Sequence, residues 1–236
     1  MNNVAFIDLD KTFIFSKRSV PRDAGELINC YQRPDDKSRG CWIPKSYLDM
    51  LLDLNCEIVI VTARAKSDID KLNLPFEPAY TVCNFGSSIY EGSELVVQNL
   101  TKQDVDTMTQ FEEDCPDYLP TPTKVHLSQG NVAVWHYVFD SEIEAQHAHN
   151  EVDKFIKHSD TLSRLVTQRN GRHFDVFPKS CLKETAVKQL ISKKYKTFFK
   201  LGFGDSIVDH GFMNLCHIAI TPTHSQLFQS LETSNA

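Results

Sequence analysis

Five short apolar runs, at residues 4–7, 57–61, 79–83, 198–203 and 217–220, constrain the fold of this chain more than any other feature. Each is too short for an independent helix, rich in β-branched or aromatic residues, and closed by a turn signal. That pattern predicts strands buried on both faces of a parallel sheet. Helical patterns lie between them. Residues 46–54 set Tyr47, Leu48, Leu51 and Leu52 at helical spacing. Residues 182–194 set Leu182, Ala186, Leu190 and Ile191 on one face, with Lys193 and Lys194 suiting the C-terminal end. Strands alternating with helices predict a doubly wound α/β domain with a mostly parallel sheet.

The middle of the chain follows another rhythm. Thr101 can cap a helix running to about residue 113, after which Pro116, Pro120 and Pro122 break the chain. Residues 125–127 and 132–139, joined at Gln129-Gly130-Asn131, pattern as an antiparallel hairpin. Ser141 followed by Glu144 is a capping-box spacing that opens a helix to about residue 158. Residues 162–167 and 173–177 flank Asn170-Gly171, a two-residue hairpin signal. Residues 91–178 are therefore expected to form an α+β domain inserted into a core made of 1–90 and 179–236. Residues 16–45 read as a long polar connection, of a length that in a compact domain marks a functional or mobile loop.

Bulk properties exclude several classes. A formal charge of −6 and a pI near 5.8 leave no basic surface for nucleic acid. The seven cysteines are odd in number and never spaced as paired metal ligands, which argues against a disulfide framework and a structural zinc site. They suit reduced thiols in a cytoplasm. No basic n-region precedes residues 4–7, so no signal peptide is expected, and no run approaches the length of a membrane span. No pattern speaks to the oligomeric state.

In open α/β sheets, ligands bind beyond the carboxyl ends of the strands. The first run is followed there by Asp8-Leu9-Asp10-Lys11-Thr12, the second by Thr62-Ala63-Arg64, and the fourth by Gly204-Asp205-Ser206-Ile207-Val208-Asp209. Lys183 opens the helix before the fourth run. Several carboxylates at one sheet edge repel one another unless a cation holds them, and hard oxygen ligands suit Mg²⁺. A carboxylate can attack phosphorus and form an acyl phosphate. A second carboxyl can protonate the leaving oxygen and then deprotonate a water. A hydroxyl (Thr62) and an ammonium (Lys183) can hold phosphoryl oxygens, and Arg64 could reach phosphate or substrate. Each piece alone has a plainer reading: a turn or helix cap for Asp8 and Asp10, a strand-end hydroxyl for Thr62, a solvated helix residue for Lys183, a turn at 204–206. The specificity lies in their conjunction, in one order, at or beside strand ends.

That conjunction resembles the haloacid dehalogenase (HAD) superfamily of phosphohydrolases. Asp8, Asp10 and Thr12 match its Asp-x-Asp-x-Thr motif, Thr62 its second, Lys183 its third, and Gly204, Asp205 and Asp209 its Gly-Asp-x-x-x-Asp. The resemblance implies Asp8 as nucleophile and Asp10 as acid and base. It also implies Mg²⁺ bound by the Asp8 side chain, the Asp10 backbone carbonyl and Asp205, with Asp209 nearby. An insert between the second and third motifs is where the branch with a type 2 cap carries its substrate-covering domain. Thr62-Ala63-Arg64 and residues 84–90 look like further segments of that branch, and sucrose-phosphate phosphatase-like sugar phosphatases look nearest. The implied activity is hydrolysis of a small phosphate monoester, with a small phosphorylated substrate and no nucleic-acid or membrane partner. A departure is Val208, where the branch often has Asn.

Other residues favour plainer roles. His147 and His149 sit two apart on a predicted helix and so point to different faces. His136, Arg164, Arg169, Arg172, His173 and Lys179 read as exposed residues, and Trp42 and Trp135 as core packing. Two alternative functions stay open: a phosphomutase using the same nucleophile, and a non-catalytic binding protein that keeps the fold. Pump ATPases of the superfamily need membrane spans and Thr in place of Asp10, and its dehalogenases lack the second aspartate.

Overall fold

The computed structural model describes residues 2–33, 40–115, 119–126 and 132–233. The chain first runs through β1 (Asn3–Ile7), β2 (Leu27–Gln32), β3 (Gly40–Pro44), α1 (Lys45–Asp53), β4 (Glu57–Val61), α2 (Lys66–Ile69), β5 (Tyr80–Cys83), β6 (Ser88–Glu91) and β7 (Glu94–Gln98). It continues through α3 (Lys102–Asp114), β8 (Thr123–His126), β9 (Val132–Val138), α4 (Glu142–Lys157), β10 (Leu165–Asn170) and β11 (His173–Pro178). It closes with α5 (Lys183–Lys193), β12 (Phe199–Phe203), α6 (His210–Met213), β13 (Ile218–Ile220) and α7 (Gln226–Thr233). Two compact units result, residues 1–96 with 183–236, and residues 97–182.

The first unit is built on a sheet in the order β13-β12-β1-β4-β5-β6-β7. The five strands expected from the apolar runs pair in parallel. β1 lies between β4 and β12, and Val4, Ala5, Phe6 and Ile7 are wholly buried, which explains a run without polar interruption. β13 departs from the expectation of burial: Ile218 is 47% exposed, because the strand is the sheet edge and, among the described residues, pairs only with β12. α1 buries Leu48 and Leu51, while Leu52 faces outward, since nine residues expose all but one stripe. β6 pairs antiparallel with β5. Neither β6 nor β7 has a legible run, because Ser88, Glu91, Glu94 and Gln98 interrupt the apolar residues.

The 16–45 connection is not the loop that its composition suggests. β2 and β3 form an antiparallel hairpin with a bulge between Asn29 and Tyr31, and Phe15 and Trp42 exchange backbone hydrogen bonds at 2.8 and 2.9 Å. The bulge breaks the two-residue period that would have revealed the strand. Cys30 and Ile43 of this hairpin join the same core as Ile7 and Leu48. Trp42 is only half-buried, against the expectation of core packing.

The second unit is a four-stranded antiparallel sheet, β10-β11-β9-β8, with two helices. Both helices begin in reciprocal capping boxes, Thr101 with Asp104 and Ser141 with Glu144. Phe111, Ala148 and Val152 of the helices pack with Trp135, Tyr137, Phe174 and Val176 of the strands. Trp135 lies edge-on to Phe111 at 5.3 Å between centroids, a core role as read. Strand alternation puts His136, His173 and Asp175 on the opposite sheet face. There the two imidazoles stack at 5.2 Å, and His136 Nδ1 lies 2.7 Å from Asp175, so both are half-buried and partnered where exposed residues were expected.

The hairpin turn falls one residue later than read. Asn170 pairs with His173, and Gly171, with φ of 59°, takes the first turn position. β10 starts at Leu165, three residues after the expected start. Gln129-Gly130-Asn131 lies outside the described residues. Arg164 is engaged by the buried Asp104, through Nε at 3.1 Å and a terminal nitrogen at 2.9 Å. Asp104 also accepts from Ser180 at 2.8 Å, tying together the two segments by which the chain enters and leaves this unit. His147 is exposed, while His149 is half-buried against Phe174. All seven cysteines are free thiols, and among the described residues no helix is long and apolar enough to cross a membrane.

Candidate active site

Because β4, β1 and β12 are adjacent and parallel, their carboxyl ends emerge side by side. The ladder continues one residue past each strand: Asp8 N–H donates to Phe203 O at 2.9 Å, Thr62 N–H to Val82 O at 2.9 Å, and Gly204 N–H to Ile220 O at 3.2 Å. Asp8, Thr62 and Asp205 thus sit at neighbouring strand ends, on backbone that the sheet holds still. Past Asp8 the chain turns sharply. Lys11 takes a left-handed φ of 62°, and the N–H groups of Phe13 and Ile14 both donate to Leu9 O. The turn brings Thr12 back, where its hydroxyl lies 3.1 Å from Asp8 Oδ2 and 3.3 Å from Asp205 Oδ1.

Lys183, the first residue of α5, is buried and donates from Nζ to Asp8 Oδ1 and to Asp209 Oδ1, both at 2.7 Å. The other oxygen of Asp209 accepts from Ser206 N–H at 3.1 Å and Ser206 Oγ at 2.6 Å. The half-buried Val208 neighbours this arrangement without supplying a polar group. Ser206 did not figure among the sequence candidates, although its spacing to Asp209 is that of a capping box. The glycine before Asp205 has a steric reason. A Cβ at Gly204 would lie 2.5 Å from Asp209 Cβ and 2.6 Å from Met213 Sδ, so any side chain there displaces Asp209.

One carboxylate oxygen each of Asp8, Asp205 and Asp209 lies within 4.8 Å of the others. Three buried carboxylates against the one ammonium that bonds two of them leave two negative charges over (three minus one). The strain appears in their proton affinities. Burial, and then Asp209, push the Asp205 carboxyl up to about 6. Burial also holds Asp8 well above the usual carboxylate range, with Lys183 working against it. Burial disfavours the Lys183 charge, yet Asp209 and Asp8 keep it above its ordinary value. A divalent cation matches both the missing charge and the all-oxygen donor set, so these residues fit Mg²⁺.

A raised carboxyl has a consequence for stability. Between 3.8 and about 6, folded Asp205 holds its proton more firmly than the unfolded chain does. The contribution of the cluster to stability therefore falls as pH rises through that window. In chelator, the protein is expected to gain a few degrees in Tm from this site between about pH 7.5 and about pH 5, and Asp205→Asn to gain less. Thermal scans of both proteins at the two pH values test this. Equal shifts would remove Asp205 as the source.

Thr62 and Arg64 lie just past the end of β4. Thr62 is buried, and its Oγ1 accepts from Arg64 N–H at 3.1 Å, which leaves the hydroxyl proton free to donate. The Arg64 guanidinium bonds both oxygens of Asp10, at 2.8 and 2.6 Å. Asp10 is thus carried to the same sheet edge, but its carboxylate is paired with Arg64 and stands outside the three-acid cluster.

Parallel strands carrying acids at their ends, with a second α+β unit between the second and third motifs, define a phosphohydrolase of the haloacid dehalogenase superfamily. Residues 2–219 match the sucrose-6F-phosphate phosphohydrolase family, and the chain belongs to that family. No curated protein matches in sequence. Among solved structures, a haloacid dehalogenase-like hydrolase from B. subtilis aligns with a TM-score of 0.64 at 12% identity, covering 98% of this chain and 92% of that one. A HAD subclass IIB sugar phosphatase aligns with a TM-score of 0.58 at 14% identity, over 99% and 91% of the two chains. A HAD phosphatase from Bacteroides thetaiotaomicron aligns with a TM-score of 0.56 at 14% identity, over 100% and 96%. At such identities these likenesses speak to the fold.

Proposed function

We propose that this protein is a Mg²⁺-dependent sugar-phosphate phosphatase that works through an aspartyl-phosphate on Asp8. The observation that carries the reading is the setting of Asp8, whose two oxygens meet Lys183 at 2.7 Å and Thr12 at 3.1 Å at a strand end lined by two further acids. In the first step an Asp8 oxygen attacks phosphorus, the ester P–O bond breaks, and the leaving oxygen takes a proton from Asp10. In the second, a water attacks the phosphorus of the acyl phosphate, gives its proton to Asp10, and releases inorganic phosphate and the Asp8 carboxylate. The Thr62 hydroxyl and the Lys183 ammonium donate to phosphoryl oxygens as charge builds on them. Asp8, Asp205 and Asp209, with the Asp10 carbonyl, would hold Mg²⁺. When bound, the ion neutralises the acids and offsets charge on the transferring group.

The family description supports a sugar phosphate as the substrate class. We assign residues 91–178 the role of a substrate-selecting cap, and the seven free thiols support a reducing compartment such as the cytoplasm. Phosphate release from sucrose 6F-phosphate, hexose 6-phosphates and nucleotides, with Mg²⁺ or with chelator, tests the reading. Sugar phosphates are expected to be preferred, chelation to stop turnover, Mg²⁺ to restore it, and Ca²⁺ to support little. Full activity in excess chelator would remove the three acids from a metal role, and transfer of the phosphoryl group to a sugar in place of its release would make the enzyme a mutase.

A further inference from the structure

The Arg64 backbone is pinned on two sides. Its N–H donates to Thr62 Oγ1 at 3.1 Å, and its carbonyl accepts from Asn84 N–H at 2.9 Å. The loop supplying Asn84 is itself tightly specified, with Asn84 and Phe85 at φ of 49° and 62° and Phe85 N–H donating to Thr62 O at 3.2 Å. A bulky aromatic residue holds such a conformation only where its surroundings impose it. The guanidinium thus starts from a fixed point.

An arginine that binds phosphate keeps its fork of donors for phosphoryl oxygens. Here Nε bonds Asp10 Oδ2 at 2.8 Å, and one terminal nitrogen bonds Asp10 Oδ1 at 2.6 Å. The same terminal nitrogen donates to Cys41 Sγ at 3.7 Å, a contact supplied by the β2–β3 hairpin. Each oxygen of one carboxylate bonds a different nitrogen of one guanidinium, a paired contact that lysine cannot reproduce, and each keeps a second lone pair for the proton that the acid step delivers. Asp10 needs such a partner, because its side chain is 53% exposed and its own packing leaves it free to rotate. A general acid must lie within hydrogen-bond reach of the oxygen it protonates, and small misplacements lower rates steeply.

We infer that Arg64 is a positioning residue for Asp10, and not a ligand of the substrate phosphate, with the β2–β3 hairpin bracing it through Cys41. The inference rests on the acid/base reading of Asp10 given above. Thr62 and Lys183 are left to meet the phosphoryl oxygens.

The test compares Arg64→Ala, Arg64→Lys, Asp10→Asn and the double variant Arg64→Ala/Asp10→Asn, each confirmed folded by its melting curve. The probes are 4-nitrophenyl phosphate, whose leaving group departs without a proton, and phenyl phosphate, whose leaving group needs one more. Rates of phosphoenzyme formation in single turnover and steady-state KM are read for both. Arg64→Ala is expected to slow phosphorylation by phenyl phosphate about tenfold more than by 4-nitrophenyl phosphate, with KM changed less than about twofold. Arg64→Lys should not rescue it, and the double variant should be no slower than Asp10→Asn alone. Equal losses with both esters, a raised KM, rescue by lysine and multiplicative losses in the double variant would make Arg64 a phosphate ligand and overturn the inference. If Asp10→Asn itself shows no preference between esters, the acid/base reading of Asp10 fails. The double variant still reports by itself whether Arg64 acts through Asp10.

Discussion

Asp8→Asn is expected to reduce phosphate release by at least about a thousandfold, because the variant has no carboxylate to attack phosphorus. The amide keeps the volume, and its oxygen still accepts from Lys183 or Thr12. The fold should not suffer. Burial already holds the Asp8 carboxyl well above the usual range, so this position favours a neutral side chain over a charged one, and the amide is neutral. In metal-free buffer Asp8→Asn should melt at or above the wild-type temperature. Acid-quenched enzyme incubated with a ³²P-labelled ester should carry no label, whereas wild-type enzyme should. Residual activity above about one per cent, with the protein folded, would sink the covalent mechanism.

Lys183→Met should damage stability and activity together. Its ammonium is 7% exposed and bonds Asp8, also 7% exposed, and the wholly buried Asp209. Methionine fills much of the space but leaves two buried carboxylates facing one another without a cation. Breaking a buried pair from one side destabilises by about 3–5 kcal/mol, and denaturant unfolding in chelator would read that loss. Mg²⁺ should recover part of the stability. It should not recover turnover, because no ammonium remains to donate to the phosphoryl oxygens. Adding Asp209→Asn should restore stability further while activity stays low. If Lys183→Met unfolds at the wild-type denaturant concentration, the ammonium is not balancing those acids in solution.

The features legible in the sequence share a physical origin. A strand buried on both faces is mostly apolar, so β1, β4 and β12 announce themselves, and the residues that follow them stand at one edge of any parallel sheet. The cap at Thr101 and the capping box at Ser141 could be read because a cap is a local interaction, settled within four residues. The β2–β3 hairpin could not, since its bulge disturbs the period and its buried residues are few. The turn after Asn170 was displaced by one residue because register depends on which partners pair across the sheet, and here Asn170 pairs with His173.

From the sequence alone came the α/β class, the order of the motifs, and the residues available at each strand end: Asp8 and Asp10, Thr62 and Arg64, Asp205 and Asp209. Those depend on short stretches of chain whose burial and turns are decided locally. Only the tertiary structure decided how they are shared out. It put Lys183 between Asp8 and Asp209, 175 and 26 residues away, gave Ser206 to Asp209, and bound Asp10 to Arg64 across 54 residues. A long side chain reaches whichever carboxylate the packing brings within about 3 Å, and no spacing along the chain records that distance.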